Sequence, residues 1–327
     1  MNNDKSSVLV AAKGCVVALL SFGAASLAAD AQTFSVDGLT YTRVSPVEVA
    51  VFDADASLSG AVVIPEKVSD GSAEFAVTSI GERAFEDCSA ISSVTIPASV
   101  AAVGNDAFSF CSSLREVVIS DGAAPLSVGY IPNLNAGLFA DAPLAALYVG
   151  RDLSYSSRRG FSPFSGIRTL REAVVGNAVT EVGPYAFADC VSLASVTVMA
   201  PVPPSASVDS FEGVDKALCR LTVPEGTVGV YRSAPVWSEF PEITDGTASL
   251  CVPAASGRVS VSTSPGSIIV TGLPYGVTVV VSRVDGAEAR RLTPAGCSVS
   301  LHDLTPGCYI VSVRGVGGDL SFRAMVP

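Results

Sequence analysis

Apolar residues in this chain recur in phase over a block of 23: Phe85 and Phe108, Cys88 and Cys111, Ile91 and Leu114, Val94 and Val117, and Ile96 and Ile119 each stand 23 positions apart. Counted from the Phe, apolar positions at +3 and +6 share one face of a helical turn, and those at +9 and +11 alternate as in a strand. The pattern predicts a short helical turn followed by a short strand in every block. Burying the four or five apolar side chains of one block is worth roughly 8–15 kcal/mol. Ordering its backbone and side chains costs more than that. A lone block therefore cannot fold, and the blocks must stack into a solenoid with one parallel sheet and an internal ladder of phenylalanines.

The pattern continues with losses. Phe139 with Leu144, Leu147 and Val149 reads as a block one residue short. Phe164 with Ile167, Leu170, Ala173 and Val175 follows, Phe187 to Val198 restores the full signature, and Phe211 opens an altered block ending at Leu221–Val223. These are six units, with longer insertions around 122–135 and 150–160, which become loops on one face. Past residue 243 the period stops. Residues 244–258 are rich in small and turn-forming types and read as a linker. From there alternation predicts strands at 259–263, 267–271, 277–283, 287–292, 298–301, 308–314 and 320–325, with Asp285-Gly286 as a hairpin turn, in all a small β-sandwich over 259–327.

The string Ile80-Gly-Glu-Arg-Ala-Phe-Glu-Asp-Cys-Ser-Ala-Ile-Ser-Ser-Val-Thr-Ile-Pro97 resembles the BspA-type leucine-rich repeat of bacterial surface proteins. The resemblance implies a leucine-rich repeat solenoid over 77–243, with a terminal cap in Val223 to Phe240 and an N-terminal β cap over 32–76 that opens with the hairpin of Phe34 to Tyr41. The block departs from the more familiar repeat in placing no Asn after the strand. The family implies a secreted or cell-surface location and, for some members, adhesion to host matrix proteins. The order Gly266 to Gly272, Val279 to Gly286 and Leu304 to Val313 resembles the C-terminal sorting domain of type IX secretion substrates. That likeness implies passage across an outer membrane through the secretion machinery.

Residues 1–31 read as a signal peptide. Lys5 and Lys13 precede an uncharged stretch from Gly14 to Ala29, and Ala29-Asp-Ala31 offers a cleavage motif. No later segment reads as membrane-spanning, since the apolar run 268–281 is interrupted by Gly272, Pro274 and Gly276. The net charge of −11 argues against nucleic acid as partner. Within that acidic background Arg151, Arg158, Arg159, Arg168 and Arg171 gather in one insertion and the block after it. They are either a site for an acidic glycan or protein or a solvated face. Cys88, Cys111 and Cys190 occupy one inward slot, where a free thiol acts as a small apolar residue, although an exported protein permits bridges. Cys297 and Cys308, in adjacent predicted strands, could pair.

Catalytic and metal chemistry find little to work with. The chain has one histidine, His302, no C-x-x-C, no G-x-S-x-G and no P-loop. Carboxylate pairs such as Asp53 and Asp55 are weak evidence for a hydrolase among 31 acidic residues. The sequence therefore supports no enzyme, no cofactor and no metal. With Val94 and Ile96 inward, the strand register turns Thr95 outward, beside Val118, Tyr148, Val174, Thr197 and Thr222. The preceding outward row holds Ser93, Glu116, Ala146, Glu172, Ser195 and Arg220. The candidate binding face is Thr95, Glu116, Val118, Tyr148, Glu172, Val174, Thr197 and Thr222, with Tyr148 its one aromatic. Trp237 is expected to plug the end of the solenoid. The expected function is non-enzymatic binding of proteins or glycans at the cell surface, adhesion first. The alternative is a structural envelope component without a dedicated ligand, and a glycan-cleaving enzyme ranks behind both.

Overall fold

The computed structural model describes residues 33–246, 259–264, 266–271, 278–283, 288–292, 298–302, 304–314 and 320–326. The expected signal peptide, most of the linker, the Asp285-Gly286 turn and Cys297 lie outside them. Within 33–246 the chain winds as a parallel β-solenoid of about eight turns. Its long wall is eight parallel strands in spatial order: Gly60–Val63, Ile91–Ile96, Glu116–Ile119, Ala146–Val149, Glu172–Val175, Ser195–Val198, Arg220–Val223 and Ile243–Asp245. A second wall begins with the antiparallel strands Thr33–Val36, Leu39–Arg43 and Glu48–Ala54. It continues in parallel through Glu74–Ile80, Ala102–Val103, Leu126–Val128 and Leu153–Ser154. The opening hairpin turns on Asp37 and Gly38, at φ 51° and 78°, the paired left-handed geometry that matches strand twist.

Between the walls runs the phenylalanine ladder. Phe85, Phe108, Phe139, Phe164, Phe187 and Phe211 are all at most 2% exposed, and successive rings stack at centroid distances of 5.0, 5.3, 5.8, 6.2 and 5.3 Å. Each ring adds burial worth about 1.5–3 kcal/mol and stacking worth about 0.5–1.5 kcal/mol. Trp237, fully buried, closes the column edge-on to Phe211 at 5.6 Å, and its indole N–H donates to the Pro204 carbonyl at 2.7 Å.

The residues at +3 and +6 are buried as the spacing predicts, yet each block's turn is a pair of hydrogen-bonded turns with little helix. In the described residues the helices are only Val228–Ser233 and a 3-10 turn at Trp237–Glu239. The reason lies in backbone sign. Asp87, Phe110 and Asp189, two residues past their ladder rings, take φ of 65°, 62° and 58°. A left-handed residue ends a right-handed helix and redirects its N–H along the solenoid axis. Asp87 then donates to the Ser109 carbonyl at 3.0 Å and Asp189 to that of Glu212 at 2.7 Å. The corners thus bond coil to coil as the strands do, which gives these corner amides partners. Close approach at the opposite corner demands Gly104, since a Cβ there would sit 2.5 Å from the Glu82 nitrogen.

Cys111, Cys190 and Cys219 are free thiols, and all three are buried, as is Cys88. The Cys111 thiol donates to the Phe85 carbonyl at 3.3 Å and that of Cys190 to the Phe164 carbonyl at 3.0 Å, while burial pushes the Cys190 thiol up to about 12. Burial likewise raises the Cys111 thiol, so the thiols of Cys111 and Cys190 are neutral. Cys308, half-buried, is also free.

The second wall breaks once. Leu153–Ser154 ends one sheet, and Glu181–Val182 begins a separate pair with Ser205–Ala206. Across the gap the Asp152 carboxylate accepts from the Thr180 N–H at 2.7 Å, the Thr180 hydroxyl at 2.6 Å and the Glu181 N–H at 3.0 Å, so a side chain replaces the missing ladder bonds. The ladder is widest here, at Phe164 and Phe187. An apolar cavity of about 30 Å3 remains, lined among others by Val175, Val182, Ala186, Phe187 and Tyr155.

The strands beyond residue 259 form two antiparallel sheets: Ser260–Ser264, Ser267–Thr271 and Ser298–Leu301 in one, and Glu288–Leu292, Thr278–Arg283, Gly307–Arg314 and Leu320–Val326 in the other. Ile268 and Val270 from the first share one core with Val279, Val281, Val311, Val313 and Val326 from the second, an all-β sandwich. His302 is exposed.

Three outcomes follow from this packing. Phe139→Ala, in the middle of the ladder, should destabilise by about 3–5 kcal/mol, read as a lowered urea midpoint at unchanged slope. Val182→Ile adds one methylene beside the cavity and should stabilise by up to about 0.8 kcal/mol, whereas Ala186→Leu should overpack it and lower the midpoint. Burial pushes the phenols of Tyr41 and Tyr155 up from 10.0 to about 12. The folded state therefore holds these protons more tightly than the unfolded chain, and stability should be flat below pH 10 and fall as pH rises toward 12. Circular-dichroism melts at stepped pH would show this, with a shallower decline in Tyr155→Phe.

Candidate binding face

The long wall is the broadest regular surface of the solenoid, and its register decides which side chains share it. Val94, Val117, Leu147, Ala173, Val196 and Leu221 align across six strands and face the core. Alternation then sends two rows to the other side. One aligns Ser93, Glu116, Ala146, Glu172, Ser195 and Arg220, and the other Thr95, Val118, Tyr148, Val174, Thr197 and Thr222. The strand Ile243–Asp245 adds Thr244 to the second row. All eight sequence-derived positions lie in these two rows.

Exposure divides them, and here the expectation of an open face needs correction. Thr95, Glu116, Val118 and Tyr148 are buried, at 6, 8, 2 and 2% exposure, whereas Glu172, Val174, Thr197 and Thr222 are half-exposed. The cause at the centre is Tyr148. Its hydroxyl donates to the Asp121 carboxylate, one coil back, at 2.6 Å, which lays the side chain along the row toward the strand of Val118. Glycine makes the room, because a Cβ on Gly176 would stand 2.9 Å from the Tyr148 hydroxyl and 3.0 Å from Asp121 Oδ1. Burial and the Asp121 carboxylate both hold the Tyr148 proton on well above the usual phenol range. Burial alone raises the Glu172 carboxyl above its ordinary value. The accessible part of the wall is thus its later half, where Thr197, Thr222 and Thr244 stand in register on adjacent strands. Thr244 was missed because the apolar period fades there, although a strand pairs across residue 243.

The five arginines do not form one patch. Arg151 is 1% exposed and donates to the carbonyls of Pro97 at 2.9 Å and Ala98 at 3.0 Å, so it closes a corner rather than facing solvent. Arg159 is paired with Glu212 at 2.9 Å and Asp189 at 3.4 Å. Arg158 lies over the Phe161 ring at 5.1 Å. Arg168 and Arg171 are exposed and, among the described residues, enter no ion pair. Arg115 and Arg171 flank Ala145 at the entry to the wall, as the bonds from Ala145 N–H to the Arg115 carbonyl and from Arg171 N–H to the Ala145 carbonyl show. Arg115 escaped the sequence reading because it is 36 positions from Arg151 along the chain.

Among the described residues no group of three His, Cys, Asp or Glu side chains converges as a metal site, and no helix is long and apolar enough to cross a membrane. What the wall offers is a rigid, ridged surface with threonines and the Glu172 carboxylate, and with Arg115 and Arg171 at one edge.

Residues 72–161 match the model of the BspA type Leucine rich repeat region, in six copies. No curated protein sequence matches the chain. Among solved structures, a leucine rich cell surface protein from Faecalibacterium prausnitzii A2-165 is 16% identical at a TM-score of 0.38, covering 71% of this chain and 58% of its own. A leucine-rich repeat protein from Bacteroides capillosus is 23% identical at 0.31, covering 51% and 97%, and one from Bacteroides ovatus is 18% identical at 0.31, covering 58% and 55%. The chain thus spans little more than half the length of the first of these. What it is similar to, over residues 72–161, is the BspA type leucine-rich repeat region.

Proposed function

We propose that the chain is a secreted or cell-surface repeat protein without catalytic activity, whose solenoid binds macromolecules and serves as an adhesin toward a host matrix protein or glycan. The observation that carries this reading is the later half of the long wall, where Thr197, Thr222 and Thr244 stand half-exposed in register beside Glu172, with Arg168 and Arg171 at its edge. A stacked solenoid holds such a row rigid before any partner arrives, which lowers the entropy cost of binding. The BspA-type match and the printed description of the Faecalibacterium protein as a cell surface protein support the location. In this proposal residues 1–31 are a signal peptide, 32–76 the N-terminal cap, 77–243 the binding solenoid and 244–258 a linker, and the sandwich over 259–327 engages a type IX secretion machinery. One observation favours a structural envelope component instead: the earlier half of the wall is sealed by Tyr148, which leaves a stacking element rather than a groove.

Solid-phase binding of the purified chain to matrix proteins and acidic glycans, at low and high salt, separates these readings. Saturable binding that weakens at least about ten-fold in Thr197→Glu/Thr222→Glu is expected, the size of a blocked interface centre. Binding carried by Arg168 and Arg171 would instead fade with salt. Absence of binding across the panel would sink the adhesin and leave the envelope component.

A further inference from the structure

The corner that stacks the phenylalanine ladder also carries a line of residues two positions past each ring: Asp87, Phe110, Gly166 and Gly213, which are exposed, and Asp141 and Asp189, which are half-buried. The backbone is left-handed at Asp87, Phe110, Gly166, Asp189 and Gly213. Glycine and aspartate tolerate that geometry, and an aromatic residue seldom adopts it. Phe110 is the exception in the line, and its side chain is 57% exposed. A phenylalanine in this slot gains little burial and stands in a disfavoured backbone conformation, so nothing inside the solenoid accounts for it.

Its surroundings are acidic. The Phe110 N–H donates to Asp141 Oδ2 at 2.8 Å, and the Asp87 N–H donates to the Ser109 carbonyl at 3.0 Å, so the coil on either side brings an aspartate to the corner of Phe110. Across the corners 82–87, 105–110 and 136–141 the chain places Glu82, Glu86, Asp87, Asp106 and Asp141 against Arg83 alone. The whole of residues 33–246 carries 25 acidic against 12 basic side chains, a net −13. An aromatic face inside a negative potential attracts a cation. A guanidinium suits both parts, because its plane stacks on the ring while its N–H groups pair with a carboxylate.

We propose that the ridge around Phe110 is a docking surface for an arginine-rich segment of another protein, with a guanidinium stacked on Phe110 and paired to the exposed Asp87. This deepens the binding function proposed above and rests on it, but it assigns a different face and a defined partner chemistry: flexible, basic and rich in planar cations. The neighbouring carboxylates steer the segment to the ridge, so association is faster at low salt.

Fluorescence anisotropy of the full chain with a fluorescein-labelled peptide of alternating Arg and Gly tests this. Saturable binding is expected, weaker for the Lys–Gly counterpart, and reduced about five-fold or more by Phe110→Asn. Because Asn accepts left-handed backbone, the same variant should keep or raise the Tm, which separates lost docking from lost folding. Asp87→Asn should also weaken binding, and Leu218→Ser, at an exposed residue of a later coil, should leave it unchanged. Equal affinity in Phe110→Asn, or no binding at low salt, would overturn the ridge. Self-association that Phe110→Asn abolishes, seen by analytical ultracentrifugation, would overturn the assignment to another protein in favour of a second copy. Adhesion and ridge fail separately. Binding to the matrix panel that ignores Phe110 would remove the ridge alone, and peptide binding that tracks Phe110 with a silent panel would remove the adhesin alone.

Discussion

Stacking of one coil on the next is the constraint from which everything else in the solenoid follows. No block holds enough apolar surface to order itself. Its Phe must lie on the Phe of the neighbour, its strand must pair with the neighbour's strand, and its corner amides must reach the neighbour's carbonyls. These three requirements share one repeat along the axis, so a residue that satisfies one is placed by the others. The left-handed residues past Phe85, Phe108 and Phe187 show the coupling: they turn corner N–H groups toward the next coil, and they hold the ladder rings parallel at the same time.

Where stacking is imperfect, the chain substitutes. The insertion at 150–160 interrupts the second wall, and Asp152 spans the interruption with three hydrogen bonds while a small apolar cavity remains beside the widest step of the ladder. Farther along, Trp237 meets Phe211 edge-on and ends the column, because a flat stack would leave another ring wanting a partner. The same economy shapes the surface. Arg151 looks like part of a basic cluster in sequence but serves the bare carbonyls of Pro97 and Ala98.

The candidate surfaces are what stacking leaves uncovered. The long wall is sealed where Tyr148 leans on Asp121 and open where threonines line up. The ladder corner carries Asp87, Asp141 and Asp189 with Gly166 and Gly213, and Phe110 is the one aromatic residue in that line. A rigid one-dimensional scaffold can carry two such surfaces without interference, since each coil contacts only its neighbours.

The apolar period alone determined that the chain is a stacked solenoid, which side chains form its ladder, and the register of the long wall from Ser93 to Thr222, because burial enforces strict alternation once the coil length is known. It also placed the seven late strands, where alternation is equally plain. What period and spacing could not determine was the sign of the backbone at the corners, since positions +3 and +6 are shared by a helix and by two successive turns. Nor could they determine exposure. Alternation says which way Tyr148 and Val118 point, but whether solvent reaches them depends on Asp121, Gly150 and Gly176, which lie on three different coils and meet only when these stack. The fate of Arg151 and Arg159 was tertiary for the same reason: their partners are 53 and 30 residues away or more, and charge counted along the chain carries no information about such distances.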